Sequence, residues 1–438
     1  MSRIGKKRIL LVNPWIYDFA AYDLWAQPLG LLYAGGMLRE AGCETSYIDC
    51  LNSDHPGMNI KAPRVRPGGH HKFYRTVLEK PEVFAEFPRR YARYGISPEV
   101  FEDELAKIPE PNAILVTCIM TYWYPGAFKA IRKLKDRFPE VPLVLGGIYA
   151  TLCSEHAGAF SKADIVLPGP ACRHLPGCME KLLGINLPRG CDIDKMPPPC
   201  LDLIPNPTYA PVLASTGCPF ECSYCAAPII SGKFHARDTG SVISETARWR
   251  DELEVRDFAF YDDALLAGGT RLLKRLPELG VRFHCPNALH ARWIDSTVAG
   301  LLKEGGFQTI RIGLETSDPE RIRASGGKVE REEFRAAVEN LLTAGYRTDE
   351  VGAYVLCGLP KQEAREVWQT IDFARNCGSK PVLAEYSPIP GTAMWKDAVS
   401  ASRYPLESEP LTHNSTLLPC QWDGLTGKDY RELKDACR

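Results

Sequence analysis

Cys218, Cys222 and Cys225 lie in the run Gly217-Cys218-Pro219-Phe220-Glu221-Cys222-Ser223-Tyr224-Cys225. The spacing, C-x3-C-x2-C, puts three thiolates on one short loop, and three thiolates can hold three irons of a [4Fe–4S] cluster. The fourth iron then has no protein ligand from this loop and is open to a small molecule. A structural cluster calls for four cysteines, so an open iron implies chemistry. A zinc knuckle or three scattered thiols are the competing readings. The aromatic residue at 224 and the strand-helix pattern that follows favour the cluster.

That pattern sets the fold. After the Pro-rich linker of residues 186–210, six apolar runs alternate with helical segments such as 241–251 and 294–304. The runs 212–216, 258–261, 282–285, 309–313, 351–356 and 380–386 predict six parallel strands. Six strand-helix units make a partial (β/α)6 TIM-type barrel over residues 211–395, open on one side, with its site at the carboxyl ends of the strands. Residues 396–438 form a small C-terminal cap. Its polar run Thr412-His413-Asn414-Ser415-Thr416 either lines the open side or is an ordinary surface loop.

Residues 1–185 read as a separate α/β domain. Runs at 8–14, 45–49, 113–117, 142–147 and 165–167 predict five strands, with helices at 29–41 and 126–138 between them. The alternation predicts a doubly wound, Rossmann-like parallel sheet, which binds ligands at its carboxyl strand ends. Residues 52–110 interrupt the sheet as an insert, and its basic, Gly-rich stretch 64–72 closes over an anionic substrate group or contacts the barrel.

The cluster loop and the barrel strand ends closely resemble those of the radical S-adenosylmethionine (SAM) enzymes. The resemblance implies that SAM chelates the open iron and is cleaved by one electron to methionine and a 5′-deoxyadenosyl radical. It implies that Tyr224 lies near the adenine and that Tyr261, Asp262 and Asp263 lie near the methionine amino group. Glu315 matches the acid that reaches the SAM ribose or amino end. Gly358-Leu359-Pro360 matches a segment that packs on adenine. Pro390, in Pro388-Ile389-Pro390-Gly391-Thr392, matches the sixth-strand end of the cobalamin-type branch. Arg311, also assigned to this site, points either into the barrel or into the helix layer. Cys357 is a candidate hydrogen-atom donor or nucleophile, set against a buried inert thiol.

The N-terminal loops resemble the cobalamin-binding domain fused to one branch of that superfamily, through Pro28-Leu29-Gly30-Leu31, Thr121-Tyr122-Trp123-Tyr124-Pro125 and Leu145-Gly146-Gly147. Thr121 would bond the nucleotide tail, and Tyr122 and Trp123 would offer flat apolar surface. Gly146, Gly147 and Gly169 would let backbone approach the corrin. Two departures stand out. The D-x-H-x-x-G motif with a cobalt-ligating His is absent, and the family's acidic Gly-x-Gly-Glu segment is replaced by Pro168-Gly169-Pro170-Ala171. The alternative is a Rossmann-like domain that only scaffolds the barrel.

The resemblance implies cobalamin-dependent methyl transfer to an unactivated carbon of a small molecule. Radical cyclisation, rearrangement or hydrogen abstraction without methyl transfer is the alternative. A methylthiotransferase would need three further cluster cysteines, and Cys43, Cys50 and Cys118 do not stand in that context. A corrinoid- or metal-binding protein without activity is the rival of another class. A reductant such as flavodoxin or ferredoxin is implied. A net charge of −1 gives no sign of a nucleic-acid partner, and no apolar run is long enough to span a membrane. With no export signal, the expected setting is the cytoplasm, in an anaerobic cell. Sixteen dispersed cysteines suit a reducing compartment and argue against disulfides. Cys172, Cys178, Cys191 and Cys200 lack the spacing of a second cluster.

Overall fold

The computed structural model describes residues 6–58 and 71–438. Most of the basic run 64–72 therefore lies outside the described residues. The chain divides into two compact units, 1–208 and 209–438.

The first unit is built on a five-stranded parallel sheet. Its strands, in chain order, are Arg8–Asn13, Glu44–Asp49, Ala113–Thr117, Leu143–Gly146 and Ile165–Val166. In space they run fifth, fourth, third, first, second. Arg8–Asn13 is buried on both faces because helices cover both, which is why it reads as an unbroken apolar run. Leu10, Val12, Ile114 and Val116 pack into one core with Ile131 and Leu134 of the helix Tyr124–Arg137. Ile9, Leu11 and Leu115 pack into the other with Met37 and Leu38 of the helix Leu29–Glu40. Close crossings use glycine. A Cβ on Gly126 would fall 1.8 Å from the Trp15 carbonyl, and one on Gly36 would fall 2.1 Å from the Pro198 carbonyl.

Two features of the first unit differ from the sequence reading. The described part of the insert supplies the strands Arg75–Val77 and Ala92–Tyr94, which form an antiparallel sheet with Ile16–Asp18, and then the helix Pro98–Lys107. Strands of three residues carry too little periodicity to be seen in sequence. Cys172 and Cys191 also form a disulfide, against the expectation of none. Cys172 opens the helix Ala171–Leu183, and the extended chain after that helix returns past its start. Cys178 and Cys200 take no part in that disulfide and pack separately.

The second unit carries six parallel strands that pair in chain order: Ala210–Val212, Asp257–Phe260, Arg282–His284, Phe307–Glu315, Val351–Cys357 and Lys380–Glu385. The first and sixth do not pair, so the barrel is open. Phe258, Phe260, Phe283 and Phe307 form a contiguous aromatic core across the first half of the sheet. The crossover between the second and third strands holds 3-10 turns, Leu265–Gly268 and Leu276–Leu279, where a helix was expected. Pro277 and the paired glycines Gly268-Gly269 interrupt any longer helix there. The C-terminal segment ends in the helix Gly427–Ala436. Its polar run is internally satisfied: Thr412 Oγ1 donates to the Glu409 carbonyl at 2.6 Å, and His413 Nε2 lies 2.8 Å from the Leu406 carbonyl. No described helix is long and apolar enough to cross a membrane.

Candidate active site

The cysteine loop grows out of the first barrel strand and is closed at its neck. Ser215–Thr216 pairs antiparallel with His235–Ala236, so residues 217–234 leave and return at one point. Gly217 sits at φ +71°, and a Cβ there would lie 2.5 Å from the Gly232 and Lys233 carbonyls. Only glycine fits that pinch. Farther out, Ser223 N–H donates to the Ser325 carbonyl at 3.1 Å, and Met394 N–H donates to the Ser223 carbonyl at 2.8 Å. The segments after the fourth and sixth strands thus both grip the loop.

Cys218, Cys222 and Cys225 are all half-buried, and burial raises each thiol above its ordinary value. The three sulfurs lie close enough to influence one another electrostatically. Three soft donors on one constrained loop, without a fourth, fit an iron–sulfur cluster with one open iron, and metal binding would displace their protons.

Aromatic rings buttress the loop. Phe220 stacks on His290, with centroids 4.6 Å apart, and the Arg292 guanidinium lies 5.1 Å from the Phe220 ring. Arg292 also donates to the Gly327 carbonyl at 3.1 Å. The adjacent Gly326, at φ +111°, abuts the backbone of Glu221 and Cys222. Burial depresses the His290 pKa to about 3, so its ring is neutral. Tyr224 bonds the Cys222 sulfur and packs against the core that Leu359 and Tyr386 share. Burial pushes its phenol far above the ordinary value, so it stays protonated.

Glu315 ends the fourth strand just past a register shift and sits at φ +64°, a left-handed conformation unusual for a side chain of this size. Its Oε1 lies 3.1 Å from Lys328 Nζ. A Cβ on Gly313 would lie 2.7 Å from both atoms, so the missing side chain at 313 makes room for the pair. Burial opposes the Lys328 charge, but Glu315 and the Cys222 and Cys225 sulfurs outweigh it and its pKa rises. A buried cation is therefore held beside the cluster loop. Sequence reasoning missed Lys328, Phe220 and His290. The only signal for Lys328 was its position directly after Gly326-Gly327, on a loop that the strand pattern does not predict.

The other sequence candidates divide. Asp263 is largely buried, bonds Ser231 and is felt electrostatically at Cys218 and Cys225. Asp262 is turned inward: its carboxylate accepts Ser215 Oγ at 2.6 Å and Ala214 N–H at 3.1 Å, joining the first two strand ends. Burial raises its pKa to about 7. Tyr261 meets Tyr209 at 3.3 Å between hydroxyls, and its carbonyl accepts from Asn287. Arg311 lies against Gly352, on the strand face opposite the helices. Gly358, at φ +92°, turns the chain toward Pro360, and Gln362 Oε1 accepts its N–H at 2.8 Å. Gly391, beside Pro390, abuts Ile229 in the returning half of the cysteine loop. Cys357 does not face the barrel interior. It packs with Val355, Val367 and Ile371 in the helix layer, and burial lifts its thiol to about 12. The structure thus makes Cys357 a packing residue, since strand alternation turns it away from the face that Tyr354 and Arg311 share.

In the first unit, Thr121, Tyr122, Trp123, Gly146, Gly147 and Gly169 meet at the carboxyl ends of the adjacent third, fourth and fifth strands. Trp123 Nε1 donates to Asp18 at 2.8 Å. Gly147, at φ +93°, is required by the protein's own backbone, since a Cβ would lie 2.6 Å from the Cys118 carbonyl. Gly146 has open space instead: its nearest neighbour would be 3.9 Å away. Gly169 N–H donates to Thr151 Oγ1 at 2.9 Å.

Residues 212–374 match the radical SAM superfamily model. An uncharacterized methyltransferase of Pyrococcus horikoshii is 26% identical over 349 residues, covering 70% of this chain and 74% of its own. The cytidylyl-2-hydroxyethylphosphonate methyltransferase of Streptomyces wedmorensis is 21% identical and covers 97% of this chain and 89% of its own. The radical SAM methyltransferase TsrM of Kitasatospora setae, solved with cobalamin and a [4Fe–4S] cluster, superposes with a TM-score of 0.66 at 14% identity. That match covers 92% of this chain and 80% of TsrM. Residues 212–374, most of the second unit, are a radical SAM domain. Its cofactors are accordingly a [4Fe–4S] cluster and SAM, with Cys218, Cys222 and Cys225 as the fitting ligands.

Proposed function

We propose that this enzyme is a cobalamin-dependent radical SAM methyltransferase that methylates an unactivated carbon of a small molecule. The observation that carries the reading is the pairing, in one chain, of the cysteine loop with a sheet whose carboxyl end is open at Gly146 and lined by Thr121 and Tyr122. Methyltransferases that align with most of this chain support it. When bound, the cofactors would supply an adenosyl radical that removes a hydrogen atom from the substrate and a methyl group to replace it.

The protein's own part is positioning and charge. The neck at Gly217 and the Phe220 stack hold the cysteine loop before metal binds. Lys328 offers a fixed cation to the SAM carboxylate, and Glu315 offers a carboxylate to its amino or ribose end. Tyr224 closes the loop against apolar surface and keeps water out. Asp263 and Arg311 complete the polar lining, and Gly358 and Pro390 shape the far strand ends. The substrate class follows the Streptomyces relative only as far as a small molecule. Flavodoxin or ferredoxin is the proposed electron donor, in a reducing compartment.

The test is anaerobic reconstitution with iron, sulfide and cobalamin, followed by turnover with methyl-labelled SAM. Four irons and one corrinoid per chain, with label appearing in product, is the expected result. Four irons without corrinoid would instead make the first unit a scaffold.

A further inference from the structure

The first unit carries a cleft that the radical chemistry does not use. It has a volume of about 540 Å³, and its rim bears Lys72, Arg75, Arg89 and Arg90. None of the four makes an ion pair among the described residues. Asp18 and Asp23, the acids of the loop below, are engaged elsewhere. Asp18 accepts from Trp123 Nε1 at 2.8 Å and from Phe19 N–H at 2.6 Å, and Asp23 lies 3.3 Å from His71. Four cations facing one cleft repel each other, and an anion there would relieve that repulsion.

The cleft is also held in shape. Phe19 packs on Phe84 and Phe87 at 4.9 and 4.8 Å between centroids. Lys80 Nζ donates to the Ala85 and Phe87 carbonyls at 2.9 and 2.8 Å. The turn that presents Arg89 and Arg90 is thus fastened to the cleft floor. Tyr94, also on the floor, bonds the Arg75 side chain and donates to the Phe19 carbonyl at 3.1 Å. At the mouth stands Tyr22, an exposed ring with Lys72 Nζ 5.9 Å from its centroid. Guanidinium forks match phosphate oxygens, and an exposed ring beside them offers a stacking surface.

We propose that this cleft binds a nucleotide-type ligand, with a diphosphate held by Arg75, Arg89 and Arg90 and a planar base against Tyr22. The site lies wholly within the first unit and does not depend on methyl transfer.

The experiment uses the full reconstituted chain and calorimetric titration with ADP, inorganic pyrophosphate and adenosine at low and high salt. ADP and pyrophosphate should bind, more weakly at high salt, and adenosine, which lacks the phosphates, should bind far more weakly than ADP and leave pyrophosphate binding unchanged. Arg89→Ala with Arg90→Ala should weaken both anions by about tenfold or more. Arg89→Lys with Arg90→Lys should recover part of that loss. Tyr22→Ala should weaken ADP and leave pyrophosphate unchanged. Iron content and thermal unfolding report that each variant is folded. Failure of ADP to bind, or ADP binding that the double alanine variant leaves intact, would overturn the proposal. Equal loss of ADP and pyrophosphate in Tyr22→Ala would overturn the nucleotide assignment.

Discussion

At the scale of single residues, the site depends on a buried ion pair and a buried carboxylate. Removing one partner of a buried pair leaves the other charge uncompensated, at a cost of about 3–5 kcal/mol. Lys328→Ala should therefore weaken SAM binding and lower the stability of the apo chain. Glu315→Gln should leave Lys328 cationic beside the sulfurs and shift the cluster potential, read by redox-poised EPR. An unchanged SAM affinity in Lys328→Ala would remove that residue from the site. Asp262 gives a pH signature. Its pKa, about 7 in the folded chain against an ordinary 3.8, is raised chiefly by burial. The stability it contributes is fully present below about pH 4 and is lost as pH climbs to about 7. Denaturant midpoints of the apo chain should fall over that window, and Asp262→Asn should flatten the fall. A midpoint profile identical in wild type and variant would count against a titrating Asp262. Asp263 and Cys285 are the ionisable neighbours that couple to it.

At the scale of elements, glycine decides which helices can approach which strands and linkers. Two positions in the helix Leu29–Glu40 separate this effect from helix propensity. Gly36 faces the Pro198 carbonyl, whereas a Cβ on Gly30 would meet nothing within 4 Å. Gly36→Ala should destabilise the first unit by about 1–3 kcal/mol through overpacking. Gly30→Ala should be neutral or stabilising by up to about 1 kcal/mol. Thermal unfolding of the two variants checks both, and equal effects would refute the close contact. The elements themselves were unevenly legible. The strand Arg8–Asn13 stands out in sequence because burial on both faces demands an apolar run. The three-residue strands of the insert do not, because their pairing rests on partners far away in the chain.

At the scale of the whole molecule, each unit has its own hydrophobic core and its own candidate cofactor site. Cys222→Ala should abolish iron incorporation while corrinoid binding by the first unit persists, as read by iron analysis and the corrinoid spectrum of one sample. Loss of both would mean that the first unit needs the loaded cluster. The disulfide Cys172–Cys191 predicts two fewer titratable thiols in denatured, unreduced chain than in reduced chain. Equal counts would place both cysteines in the free pool.

The three cysteines, the alternation of apolar runs and the polar strand ends were readable because each is local: a spacing, a period, a residue at a boundary. From them followed the class of fold, the candidate cluster ligands and the strand ends that carry Asp263 and Glu315. The strand pattern could not say which way a strand-end side chain turns. Tertiary packing sent Asp262 inward to Ser215 and Cys357 outward to Val367, and it brought Lys328 back over Gly313 to meet Glu315. It also joined Cys172 to Cys191 across 19 residues and gathered Lys72, Arg75, Arg89 and Arg90 around one cleft. These contacts pair residues distant in the chain, and they exist only once helices, strands and loops exclude water together and leave each buried polar group to find its partner.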